Sequence, residues 1–218
     1  MHSGVFVALL GSSSQASAHG SVRGLGNFLG GAVHPLLEPA QCIALVAIGL
    51  FIGQRGLAAT RPASVCFAGA LALGLVAAGF GGVTATDTAL LAMAFLLGLA
   101  TLTDVVTPRG LGATAAALVG LGVGLGSDPD SVVGQARLVM LLGSGAGAAV
   151  GMFNIVGLLH EARRPWQRIG MRVVGSWIAA SAVLVLALWA AGPQRPPAVS
   201  PAARSFAVLP VPTAAPLR

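Results

Sequence analysis

The chain has 218 residues, of which 56% are hydrophobic and only 8% charged. A soluble domain averages about 25% charged residues, so a soluble globule of this size is excluded, and a largely disordered chain is excluded by the same figures. The net charge of +6 is carried by twelve Arg, with no Lys; on so apolar a chain these charges set membrane orientation and meet lipid headgroups, and nucleic acid is not an expected partner.

The apolar runs are of helix length and lack a ten-residue alternating pattern, so the expected fold is all-α, a polytopic membrane helical bundle and not a barrel. Val5 to Leu10 is a short apolar run, followed by Ala16-Ser17-Ala18. An A-x-A triplet after such a run is a signal-peptide cleavage pattern, although the segment before it has no Arg or Lys. Residues 1–18 are therefore expected to be a signal peptide, with His19 as the first mature residue.

Residues 24–37 are Gly-rich and moderately apolar, and suggest a half-helix dipping into the bilayer. Six longer runs follow, over roughly 39–54, 63–83, 87–106, 111–127, 136–159 and 169–191, and they define a six-span transmembrane domain over 19–191. The first and fourth are short against the ~20 residues needed to cross the hydrocarbon core, and are expected to be tilted or partly re-entrant. Residues 192–218 hold seven Pro and no apolar period, which reads as an extended or disordered tail.

Arg55, Arg61, Arg109, Arg163, Arg164, Arg168 and Arg172 fall on one side of this arrangement. The positive-inside rule puts that side in the cytoplasm and both mature termini outside, in the periplasm of a bacterial inner membrane. Glycines spaced by four, at Gly49/Gly53, Gly120/Gly124 and Gly143/Gly147/Gly151, let helices approach closely, either within the bundle or at a homo-oligomer face. Cys42 and Cys66 lie inside apolar runs and read as packing residues.

No nucleotide-binding loop, Ser-His-Asp arrangement or zinc pattern is present, so no catalytic residue and no enzyme activity are expected. The dense polar cluster at membrane depth is His34-Pro35-Leu36-Leu37-Glu38-Pro39-Ala40-Gln41. Intramembrane polar groups are functional candidates, and an imidazole with a carboxylate suits a late first-row divalent ion. His34 and Glu38 are one helical turn apart, although Pro35 and Pro39 argue against a continuous helix, and proline interruption frees carbonyls that can line a cavity. The alternative is a solvated loop at the outer interface. Asn154 reads as a bond to another helix, and Asp104, beside Pro108 and Arg109, as a helix-end or interfacial ion pair.

Gly30-Gly31-Ala32-Val33-His34-Pro35 followed by Ile43-Ala44-Leu45-Val46-Ala47-Ile48-Gly49-Leu50 resembles the first membrane segment of the HupE/UreJ family, nickel or cobalt permeases and accessory membrane proteins of hydrogenase and urease clusters. Ala18-His19 and the final stretch Arg172-Val173-Val174-Gly175-Ser176-Trp177-Ile178-Ala179-Ala180 also suit the family. The family pattern is H-P-x-x-G-x-D-H. His34 and Pro35 match it, whereas Glu38, Ala40 and Gln41 stand where it has Gly, Asp and His. A second family segment rich in His falls near Gly122-Val123-Gly124-Leu125-Gly126-Ser127-Asp128-Pro129-Asp130, which holds no His.

Only His34 therefore carries over as a motif ligand. Glu38, Gln41, Asp128 and Asp130 are candidate substitutes, and His19 with the free amine is a further candidate. The resemblance implies a divergent member with a nickel or cobalt ion as substrate and no resident cofactor. The alternative is a non-transporting accessory or structural subunit of a larger membrane complex. The expected partners are the lipid bilayer, subunits of such a complex, or further copies of the chain.

Overall fold

A computed structural model describes residues 26–80, 86–103, 108–128, 132–160 and 164–191. Among them lie seven helices and no strand: α1 (Gly26–Leu37), α2 (Pro39–Gly53), α3 (Leu57–Phe80), α4 (Thr86–Thr103), α5 (Arg109–Leu125), α6 (Gln135–His160) and α7 (Pro165–Ala190). The all-α membrane bundle expected from composition is the fold observed. The expected signal peptide, His19, Asp104, Asp130 and the Pro-rich tail lie outside the described residues.

The six expected spans resolve into three kinds of element. α3, α4, α6 and α7 are long and apolar enough to cross a membrane on their own. α1 and α2 form one broken pair, bent by 71°. The cause is local: Glu38 precedes Pro39, and a residue before proline is pushed out of the helical region. Glu38 accordingly sits at φ −75°, ψ 114° as the N-cap of α2, with Pro39 in the first turn, where its missing N–H costs nothing. α5 has 17 residues, about 25 Å at 1.5 Å per residue, short of the ~30 Å hydrocarbon core.

Contacts fix the packing. Gly120 lies against the Phe67 carbonyl and Gly124 against the Leu71 carbonyl and Gly74, so α3 and α5 run parallel with backbones touching. Ala63, Phe67, Leu71, Gly74 and Ala78 are the buried stripe of α3, recurring every three or four residues as one helix face requires. α1 crosses α6 in the same manner: a Cβ at Gly143 would meet the Phe28 carbonyl, and one at Gly147 the Ala32 carbonyl. Gly49 and Gly53 of α2 meet Ile155 and Leu159 of α6. The glycine rows thus serve close approach inside this chain.

α2 is the central element, buried continuously from Ala47 to Gly53. α7 packs on α4 where Gly98 meets Gly175 and Ala179, and its buried positions Met171, Gly175, Ile178, Ala179 and Ala182 form a single stripe. Its other faces, with Trp166, Ile169, Val173, Trp177 and Leu184, are exposed, as a lipid-facing helix requires. Asn154 departs from expectation: its side chain is exposed, and its Nδ2 donates to the Val150 carbonyl of its own helix at 2.7 Å. An amide side chain one turn beyond a backbone carbonyl of its own helix satisfies itself locally before it can reach a neighbour.

Candidate metal ligands and the buried polar layer

His34 lies in the last turn of α1 and is half-buried, as is Glu38 at the break. The Glu38 amide donates to the His34 carbonyl at 3.0 Å, and the Cys42 amide to the Glu38 carbonyl at 2.9 Å. The turn spacing read from the sequence therefore survives the two prolines. The depth follows from register on α6. Ala32 lies at Gly147 and Leu36 at Gly151, close to the middle of that 26-residue helix. The break is therefore inside the bundle's thickness. Among the described residues no group of three or more His, Cys, Asp or Glu is assembled.

Gln41 stands three residues into α2 and is completely buried. Its Nε2 donates at 2.9 Å to the Gly126 carbonyl, which caps the short helix α5. The Gly126 backbone comes close to both neighbours: a Cβ there would lie 3.0 Å from Thr86 Oγ1 and 3.1 Å from Gln41 Nε2. Ser127, the next residue, donates to the Val123 carbonyl at 2.7 Å and accepts from Ser144 Oγ of α6 at 2.8 Å; both serines are buried. Asp128 pairs with Arg137 at 2.7 Å, and Arg137 also donates to the Ala78 carbonyl at the end of α3 at 2.8 Å.

This is a polar layer across the bundle, to which α2, α3, α4, α5 and α6 all contribute. Ser144 is nine residues into α6, about 13 Å along its axis, so the layer reaches from Arg137 near that helix's end well down into the bundle. The short α5 makes this geometry, since its C-terminal turn stops inside the bundle. Two buried side-chain atoms of the layer have no hydrogen-bond partner: Gln41 Oε1 and Arg137 Nε. Sequence reasoning singled out Gln41 and Asp128, but missed Thr86, Ser127, Ser144 and Arg137. The one usable signal was charge: Asp128 and Arg137 flank a turn between two apolar runs, nine residues apart.

A family model described as HupE / UreJ protein matches residues 7–203. The chain belongs to the HupE/UreJ family. No curated protein and no solved structure matches it. As a HupE/UreJ protein it is a multi-pass membrane protein with apolar helices against lipid. The two family segments compared in the sequence meet in space here: Gln41, where the first motif has His, is bonded across 85 positions to Gly126 of the second. His34 takes no part in the hydrogen bonds of this layer.

Proposed function

We propose that this HupE/UreJ protein is a bacterial inner-membrane permease for a divalent transition-metal ion, nickel or cobalt, with His34 and Glu38 as its ligands. The observation that supports this most is the helix break at Glu38. It holds a carboxylate one turn from an imidazole, half-buried within the thickness of the bundle. Pro35 and Pro39 leave the Gly31 and Pro35 carbonyls without their i+4 amide donors, and irregular backbone at membrane depth is tolerated where it lines a cavity. Such a site exchanges hydration water for imidazole, carboxylate and carbonyl groups. Imidazole suits nickel and cobalt in particular. His19 is a third candidate ligand from the N-terminal segment. In this reading the Arg-rich end of the bundle faces the cytoplasm.

Metal accumulation in cells tests it. His34→Ala abolishes nickel and cobalt uptake, and Glu38→Gln weakens it less, because an amide oxygen still coordinates without the charge. A second reading, a non-transporting accessory subunit, is favoured by the apolar packing around α2, where Ile48, Phe51, Ile52, Phe67, Leu90, Leu91 and Met152 are fully buried. Equal accumulation by wild type, His34→Ala and a deletion strain would sink the permease and leave the accessory subunit standing.

A further inference from the structure

His34 and Glu38 contribute no side chain to the hydrogen bonds described for the polar layer around Gln41, and its donor set has a different chemistry. The atoms gathered at the end of α5 are neutral oxygens: the Gly126 carbonyl, the Thr86, Ser127 and Ser144 hydroxyls, and the Gln41 side-chain carbonyl. No thiolate, imidazole or carboxylate stands among these five, and Asp128, the residue after Ser127, is paired with Arg137 at 2.7 Å.

The decisive feature is Gln41 itself. It is wholly buried, its Nε2 is engaged by Gly126, and its Oε1, on the same amide head, is an acceptor with no donor. A buried acceptor left unpaired is costly. Ser127 spends its proton on Val123, and Ser144 spends its proton on Ser127, so neither hydroxyl can donate to Gln41. Both keep acceptor lone pairs. What Gln41 Oε1 lacks is something positive to face, because the guanidinium of Arg137 donates to Asp128 and to the Ala78 carbonyl instead.

We propose that this layer binds a monovalent alkali cation of sodium type, coordinated by Gln41 Oε1 together with the hydroxyl and carbonyl oxygens around Gly126. Hard oxygen donors select hard cations over nickel or cobalt. Neutral donors select a single charge, since divalent sites recruit carboxylates to offset dehydration. The negative end of the α5 dipole lies at Gly126 and adds to the field, and carbonyls at the C-terminal ends of interrupted membrane helices are established sodium ligands in general.

The test uses the full-length protein purified in detergent, with thermal unfolding followed by tryptophan fluorescence in sodium chloride against choline chloride at constant ionic strength. Lithium and potassium series report the size preference. Sodium raises the midpoint saturably, by about 5 °C at a hundredfold excess over Kd, and choline does not. Gln41→Leu removes the orphaned acceptor and abolishes the sodium response. Ser144→Ala, a milder change that leaves the Gln41–Gly126 bond in place, weakens sodium affinity several-fold.

Identical midpoints in sodium and choline for the wild type would overturn the proposal and assign the orphaned oxygen to an ordered water. So would a sodium response unchanged in both variants. Because binding is read on purified protein without nickel or cobalt, the result is independent of whether His34 supports metal uptake.

Discussion

Toward the Arg-rich end, α2, α3, α4, α5 and α6 meet through Ile48, Phe51, Phe67, Ala94, Ala116 and Met152, all buried and apolar. Toward the other end the same helices meet through Gln41, Thr86, Ser127, Ser144 and the Asp128–Arg137 pair. In a bilayer the first arrangement gains little from water exclusion, because lipid tails are as apolar as leucine, and it rests on close packing. The second rests on pairing, because each polar group must find its partner inside the protein. Shape is therefore the vulnerability of one region, and loss of a partner that of the other.

The largest expected effect attacks shape where the backbones touch. Gly147→Leu drives a side chain into the Ala32 carbonyl of α1, and since backbone cannot step aside the cost is about 3 kcal/mol or more. Loss of monodisperse protein, or a collapsed melting midpoint, is the expected readout. Gly157→Leu on the same helix is the control: no atom lies within 4 Å of its Cβ position, and the change is expected to be neutral or stabilising by up to about 1 kcal/mol. Equal damage from both would mean that the α1–α6 crossing is not what the glycines serve.

The next effect attacks pairing. Arg137→Ala strips Asp128 of its counter-charge and the Ala78 carbonyl of its donor. Breaking a fully buried pair costs about 3–5 kcal/mol; here the side chains keep 27% and 14% of their exposure, so about 2 kcal/mol is expected. Asp128→Asn combined with Arg137→Ala recovers part of that loss, because the stranded charge is gone. A double variant worse than the sum of the singles would show that the pair is not the relevant unit.

These regions were not equally legible in the sequence. Apolar run length gave the helices and their order, and the shortness of the runs at 39–54 and 111–127 marked α2 and α5, the two elements that end inside the bundle. Glu38-Pro39 gave the break, because the restriction before proline is local. The glycine rows gave close approach but not the partner, since spacing by four is the same whether the facing helix belongs to this chain or another. The polar layer was the least visible. Ser127 and Ser144 are common, uncharged residues 17 positions apart, and Thr86 opens a helix like any cap residue. Only the fold places them beside Gln41, 85 positions from Gly126.

Within the polar layer a smaller effect separates pairing from packing. Ser144→Ala deletes one buried hydroxyl bond to Ser127, while Ser127 keeps its bond to the Val123 carbonyl. Interhelical hydrogen bonds in membranes average about 0.6 kcal/mol, so a loss of about that size is expected in detergent unfolding. A loss above about 2 kcal/mol would mean that Ser144 holds more of the layer together than its single bond.

The smallest effect belongs to Asn154, whose chemistry invites the opposite expectation. An amide on an apolar helix reads as an interhelical contact, yet here it is exposed and bonded to Val150 one turn back. Asn154→Leu removes a bond the helix does not need, because the Val150 carbonyl has its amide donor in the next turn. It also replaces a poor helix former by a good one. The change is therefore expected to stay within about 0.5 kcal/mol of wild type, measured by unfolding and by elution volume. A destabilisation above about 1 kcal/mol, accompanied by a shift to a smaller species, would reveal that Asn154 bonds across to another chain. The exposed face of α6 around Val150, Phe153 and Leu158 would then be an assembly surface and not a lipid contact.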